Sequence, residues 1–122
     1  MKVSKIVLFV LIVFSLVATG AFAAGDAAKG KVFFNDAKFA GGSKSCNECH
    51  PNGKGLDKAG DKKEFTIMGK TQKSLEEAIN FCIVGANKGK AIDVKSQQMQ
   101  DMVAFIKSLK GGAAPKKPAA GY

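Results

Sequence analysis

Cys46-Asn47-Glu48-Cys49-His50 is where reactive side chains crowd together in this chain. Two thiols with two residues between them, followed at once by an imidazole, match the C-x-x-C-H pattern of c-type haem attachment. The chemistry needs that spacing. The thiols add to the two vinyl groups on one edge of a haem to form thioethers, and the adjacent His turns a ring nitrogen to the iron. One short segment thereby secures both the ring, through Cys46 and Cys49, and its proximal ligand, His50. His50 is the only His of the chain, so no second imidazole exists to assist peroxide cleavage.

Other chemistries would use the same residues differently. A redox dithiol at Cys46 and Cys49 wants a βαβ context, and no such pattern is visible. A disulfide between them leaves Cys82 odd. A structural zinc site built from Cys46, Cys49 and Cys82 lacks a well-spaced second pair of ligands. Attachment of one haem c per chain is the reading adopted.

The elements that must position this motif read as helices. Asp26 is a good N-cap residue for a helix from Ala27 to about Asn35, whose apolar surface is Val32, Phe33 and Phe34; Gly30, one turn before Phe34, allows a close crossing. Ser74, with Glu77 three residues on, forms a capping box for a second helix. There Leu75, Ala78, Ile79 and Cys82 share one face, and Gly85 marks the stop. A third helix starts after Ser96 and runs to Lys110, with Met99, Met102, Val103, Ile106 and Leu109 on one stripe and Gly111-Gly112 ending it. No segment alternates in the manner of a strand, so the expected class is all-α. Residues 52–63, rich in Gly, Lys and Asp, read as a loop.

The ends of the chain read as separate segments. Lys2 and Lys5 precede an apolar run from Ile6 to Ala18, broken only by Ser15, and Ala21-Phe22-Ala23 supplies the small residues of a cleavage site. That is a secretory signal peptide over residues 1–23; the run is shorter than the about 20 apolar residues of a spanning helix, so no stable membrane insertion is expected after cleavage before Ala24. A domain over residues 24–110 follows, and residues 111–122 read as a disordered tail. The chain carries 19 Lys, no Arg and 10 acids, a formal charge of +9 that falls by two when Lys2 and Lys5 leave. Without Arg, and with few aromatics, this basicity argues against nucleic acid and for an acidic protein partner.

Gly25-Asp26-Ala27-Ala28-Lys29-Gly30-Lys31-Val32-Phe33-Phe34, the C-x-x-C-H motif and Met102-Val103-Ala104-Phe105-Ile106-Lys107-Ser108-Leu109 resemble the first helix, haem site and last helix of class I cytochromes c. The resemblance spans most of residues 25–110. It implies a small cytochrome c fold of three to four helices around one covalent haem, with the terminal helices crossing near Gly30, Phe34 and Phe105 and a middle helix beside the haem. Such cytochromes commonly carry a distal Met in the loop before the last helix, which here reads Gly89-Lys90-Ala91-Ile92-Asp93.

Three sulfurs compete for that distal position. The stretch Ser74-Leu75-Glu76-Glu77-Ala78-Ile79-Asn80-Phe81-Cys82, with Asn87-Lys88-Gly89-Lys90-Ala91-Ile92 and Ser96-Gln97-Gln98-Met99, resembles thiosulfate-oxidising cytochromes with a His/Cys-ligated haem. That resemblance implies Cys82 as the distal metal ligand, with Met99, Met68 or an open position as alternatives. A thiolate would lower the potential and a thioether raise it.

The function expected is an exported, periplasmic, bacterial, monomeric one-electron carrier in a respiratory or sulfur-linked chain, not an enzyme. Lys44, Lys54, Lys58, Lys62 and Lys63 are its candidate docking residues. The alternative is a catalytic or ligand-sensing haem subunit of a sulfur-compound-oxidising enzyme.

Overall fold

The computed structural model describes residues 24–112. The expected signal peptide over residues 1–23, and all of the expected tail beyond Gly112, lie outside the described residues. Four helices are present: α1 (Ala27–Asn35), α2 (Cys46–Cys49), α3 (Leu75–Gly85) and α4 (Gln97–Ser108). Single 3₁₀ turns at Phe39–Gly41, Pro51–Gly53 and Ala59–Asp61 break up the connections. Among the described residues no helix is long and apolar enough to cross a membrane.

Each helix start is written in its cap. The Asp26 carboxylate accepts from the N–H groups of Ala28 and Lys29 at 2.8 and 3.2 Å, satisfying donors that a first turn otherwise leaves bare. At α3, Ser74 Oγ accepts from Glu77 N–H at 3.1 Å while the Glu77 carboxylate takes the N–H of Lys73 at 2.8 Å. Ser96 caps α4 through Met99 N–H at 3.2 Å. Past its last turn the chain enters left-handed backbone at Gly111, with φ +85°, which halts a helix.

The crossing of α1 on α4 organises the core. A Cβ on Gly30 would lie 2.0 Å from the Asp101 carbonyl oxygen, so only glycine lets the two backbones meet there. The absent side chain costs α1 about 1 kcal/mol of helix propensity, which the contact offsets. One turn on, the rings of Phe34 and Phe105 sit 5.0 Å apart at 57°, a geometry worth about 0.5–1.5 kcal/mol beyond burial. Asp101, 2% exposed, accepts from Asp26 N–H at 2.7 Å and from Gln97 Nε2 at 2.8 Å, tying the start of α1 to α4 by a satisfied buried carboxylate. Met99, Met102, Val103, Ile106 and Leu109 are all buried, as their stripe predicts, and Phe105 widens the apolar face toward α1.

The all-α expectation requires correction. Phe65–Ile67 (β1) and Lys70–Gln72 (β2) pair antiparallel, with Phe65 opposite Gln72 and Ile67 opposite Lys70. Three-residue strands are too short to display alternation, and the turn, Met68 at φ +50° and Gly69 at φ +74°, hides the Asn-Gly signature usual at two left-handed positions. The fold is therefore mostly helical with one small hairpin.

The segment between α3 and α4 is held at Ile92 by one side chain, while Gln100 Nε2 donates to the Val94 carbonyl at 3.2 Å further on. Asn80 Nδ2 donates to the Ile92 carbonyl at 2.8 Å, and Asn80 Oδ1 accepts from the Ile92 N–H at 2.9 Å, a two-point clasp that imitates a strand pairing.

Two substitutions test this framework. Gly30→Ala is expected to cost about 2–4 kcal/mol, because backbone rather than a flexible side chain must yield, whereas Gly85→Ala, where a Cβ meets nothing within 4 Å, should be neutral or stabilising by less than about 1 kcal/mol; urea midpoints of the two variants make the comparison. Asn80→Ala should cost about 1–3 kcal/mol by orphaning both Ile92 groups and should accelerate hydrogen exchange at the Ile92 amide above that of its neighbours.

Candidate functional site

The apolar faces of α3 and α4, the hairpin and the segment after α2 enclose a cleft of about 300 Å³, within the range of small-molecule and cofactor sites. Its floor is Phe34 from α1 with Met102 and Ile106 from α4; Leu56 and Ala59 close one side, and β1 contributes Phe65, Thr66 and Ile67. All four residues of the predicted α3 stripe, Leu75, Ala78, Ile79 and Cys82, line it. Cys46 and His50 line the same cleft, whereas Cys49 does not, so two residues of the motif and the third cysteine, more than thirty residues apart in sequence, face one apolar space.

Local structure explains how the motif is held. Ser45-Cys46-Asn47-Glu48 carries the S-x-x-E capping pattern, and the Glu48 carboxylate accepts from Ser45 N–H at 3.1 Å, opening the short helix α2. This box is visible in the sequence, and it identifies a fourth helix that apolar periodicity over four residues does not reveal. Cys46 and Cys49 occupy the two ends of that helix, Cys46 half-buried and Cys49 exposed. The chain then folds back through Gly53 at φ +78°, where a Cβ would come within 2.5 Å of Leu109. This turn brings the Lys54 carbonyl to 3.0 Å from His50 Nδ1. A carbonyl only accepts, so Nδ1 carries the proton and donates, and the imidazole keeps the lone pair of Nε2 free for a metal.

Asn87, 6% exposed, joins the two sides of the site. Its Nδ2 donates to Cys46 Sγ at 3.3 Å, and its carbonyl accepts from Ser43 N–H at 2.9 Å. Sequence reasoning did not single out Asn87 or Asn80; an Asn directly after a helix and another within one carry no pattern that separates a buried clasp from a solvated side chain.

The thiols are free. Burial pushes the Cys46 thiol up from its ordinary value, against the downward pull of the Asn87 hydrogen bond. Burial also pushes Cys82 up, and the nearby sulfurs of Cys46 and Cys49 add to the rise. Reactive dithiols have depressed values, the opposite of the direction at Cys46. Among the described residues, no three His, Cys, Asp or Glu side chains are gathered as a ready metal-ion shell.

The three sulfurs weighed for a distal role lie in three different places. Cys82 is on the cleft wall. Met99 is wholly buried in the core and does not line the cleft. Met68, 79% exposed, occupies the tip of the hairpin. Met102 does line the floor, buried as its stripe predicts. The five lysines singled out for docking are all exposed, and two of them, Lys58 and Lys62, also line the cleft. No protein-family model, curated protein or solved structure matches the chain.

Proposed function

We propose that the chain is an exported, single-haem c-type cytochrome that carries electrons one at a time. The observation that carries this reading is the convergence of Cys46, a His50 with Nε2 left free and Cys82 on one apolar cleft. Those residues fit a covalent haem: Cys46 and Cys49 are the thioether positions, His50 the proximal ligand and Cys82 the distal one. A c-type haem bound there supplies a one-electron Fe(III)/Fe(II) couple. The apolar walls from α3, α4 and β1 would exclude water and favour the less charged state of the site; with an anionic Cys82 thiolate on the iron that state is the ferric one, so burial and ligand would act together to lower the potential. Because burial holds the free Cys82 thiol protonated, ligation must displace its proton. The Lys54 carbonyl fixes the orientation of His50 through Nδ1.

A carrier needs weak, fast and reversible docking, and opposite charge speeds such encounters. Lys44, Lys54, Lys58, Lys62 and Lys63 are the exposed cations proposed to meet an acidic redox partner, in a chain of formal charge +9.

The test is expression of the full precursor in a bacterial host with c-type haem maturation. The exported product should weigh as the processed chain plus one haem and give a haemochrome of two thioethers; Cys46→Ala and Cys49→Ala should each lose one. Cys82→Met is expected to raise the midpoint potential by on the order of 0.1 V or more. An exported product without covalent haem would overturn the assignment. Rapid binding of cyanide or sulfite by the unmutated ferric protein would instead defeat the carrier role in favour of ligand chemistry.

A further inference from the structure

We infer that Asn87 is a positioning residue: it ties the end of the helix that carries Cys82 to the sulfur of Cys46, and thereby sets how firmly Cys82 is held as the distal ligand of a haem attached at Cys46. This rests on the haem reading above and extends it to a residue outside both the attachment motif and the cleft lining.

Asn87 reaches three places at once. Its backbone N–H donates to the Cys82 carbonyl at 3.0 Å, its Nδ2 donates to Cys46 Sγ at 3.3 Å, and its carbonyl accepts from Ser43 N–H at 2.9 Å. One buried residue is thus bonded to the proposed distal ligand, to one of the two thioether positions and to the segment that leads into α2. The bond to Cys46 uses the sulfur as an acceptor. A thioether sulfur keeps that weak capacity, so attachment of the haem does not consume the tie.

The backbone around Asn87 is held in a form that its residues do not favour. Lys88 follows at φ +61°, and Ala40, on the segment laced to it, is at φ +54°; this region is taken mainly by Gly, Asn and Asp. The Ser43 bond and a second one, from Lys90 N–H to the Ala40 carbonyl at 2.9 Å, join the two segments. They fit closely, since a Cβ on Gly42 would lie 3.0 Å from the Asn87 carbonyl oxygen and one on Gly89 would lie 3.0 Å from that of Ala40. Backbone of this kind persists where its surroundings over-determine it, and it gathers at functional sites. Here the two laced segments hold the residue whose amide is turned to Cys46.

The bond has a direction that packing lacks. Leu75, Ala78, Ile79 and Ile83 seat α3 by burial, which is non-directional, whereas an N–H donor bonds only within a narrow range of angle and distance. A ligand carried by a helix is held only as well as that helix is held to the anchored ring. Asn87 supplies a directional link between the two, away from water that would compete for it.

The experiment is stopped-flow displacement of the distal ligand from the ferric, haem-loaded protein by cyanide. In Asn87→Ala displacement should be faster by about threefold to tenfold, the factor that one hydrogen bond supplies, with the haemochrome still showing two thioethers. Val103→Ala, which removes buried volume outside the cleft lining, should lower the urea midpoint and leave the displacement rate unchanged. A rate unmoved in Asn87→Ala, or raised as much in Val103→Ala, overturns the assignment; so does loss of a thioether in Asn87→Ala, which would make the residue one of attachment instead. Gly42→Ala keeps Asn87 and presses on its carbonyl oxygen, so it too should speed displacement, and an unchanged rate there overturns the assignment even where Asn87→Ala does not fold. Failure of the haem reading would appear separately, as an unmutated protein without covalent haem or with a ferric spectrum that Cys82→Ala leaves unchanged.

Discussion

The backbone contact between Gly30 and Asp101 is the constraint on which the remaining structure depends. With no side chain between them, α1 lies directly on α4, the Phe34 and Phe105 rings meet one turn further along, and the Asp101 carboxylate takes the first free N–H of α1's cap. The packing has a consequence at a distance. Phe34, Met102 and Ile106 form the floor of the cleft, so the angle and separation of α1 and α4 set how wide the space beneath α3 can be. A dense interior transmits such a constraint because it has no slack to absorb it.

On that floor, the chain assembles its donors from both sides by polar clasps rather than by more apolar contact. The Glu48 carboxylate opens α2, the Lys54 carbonyl orients His50, Asn87 joins Cys46 to the end of α3, and Asn80 pins Ile92. Each is a short-range hydrogen bond with geometry that apolar contact lacks, which suits a site in which an imidazole and two thiols must face a common space. The Asn80 clasp also bears on which residues can serve as the proposed distal ligand. It holds the segment before α4 by its backbone, and none of residues 88–95 lines the cleft. Of Cys82, Met99 and Met68, Cys82 is the one that lines the cleft, carried by α3.

A chain with 19 Lys and no Arg has only flexible point charges with which to meet anions. Two of these, Lys58 and Lys62, flank the 3₁₀ turn Ala59–Asp61 and line the cleft, and like Lys44, Lys54 and Lys63 they are exposed.

The C-x-x-C-H motif, the caps at Asp26, Ser74 and Ser96, and the apolar stripes of α3 and α4 were legible in the sequence because each is a local pattern with a short-range cause: thiol and imidazole spacing, orphan N–H groups and the period of a helix. Gly30 as a crossing point was legible too, since a glycine within a good helix asks for a close neighbour. The hairpin was not, because three-residue strands carry too little pattern and Met68-Gly69 is an unusual pair for two left-handed positions. Local pattern alone did not separate Cys82, Met99 and Met68; only a resemblance favoured Cys82. Only the tertiary structure decided that one lines the cleft, one is sealed in the core and one stands at a turn, because burial and facing are properties of how α3, α4 and the hairpin pack together. The sequence by itself determined which residues can do chemistry and which segments become helices; the packing of those helices decided which residues meet.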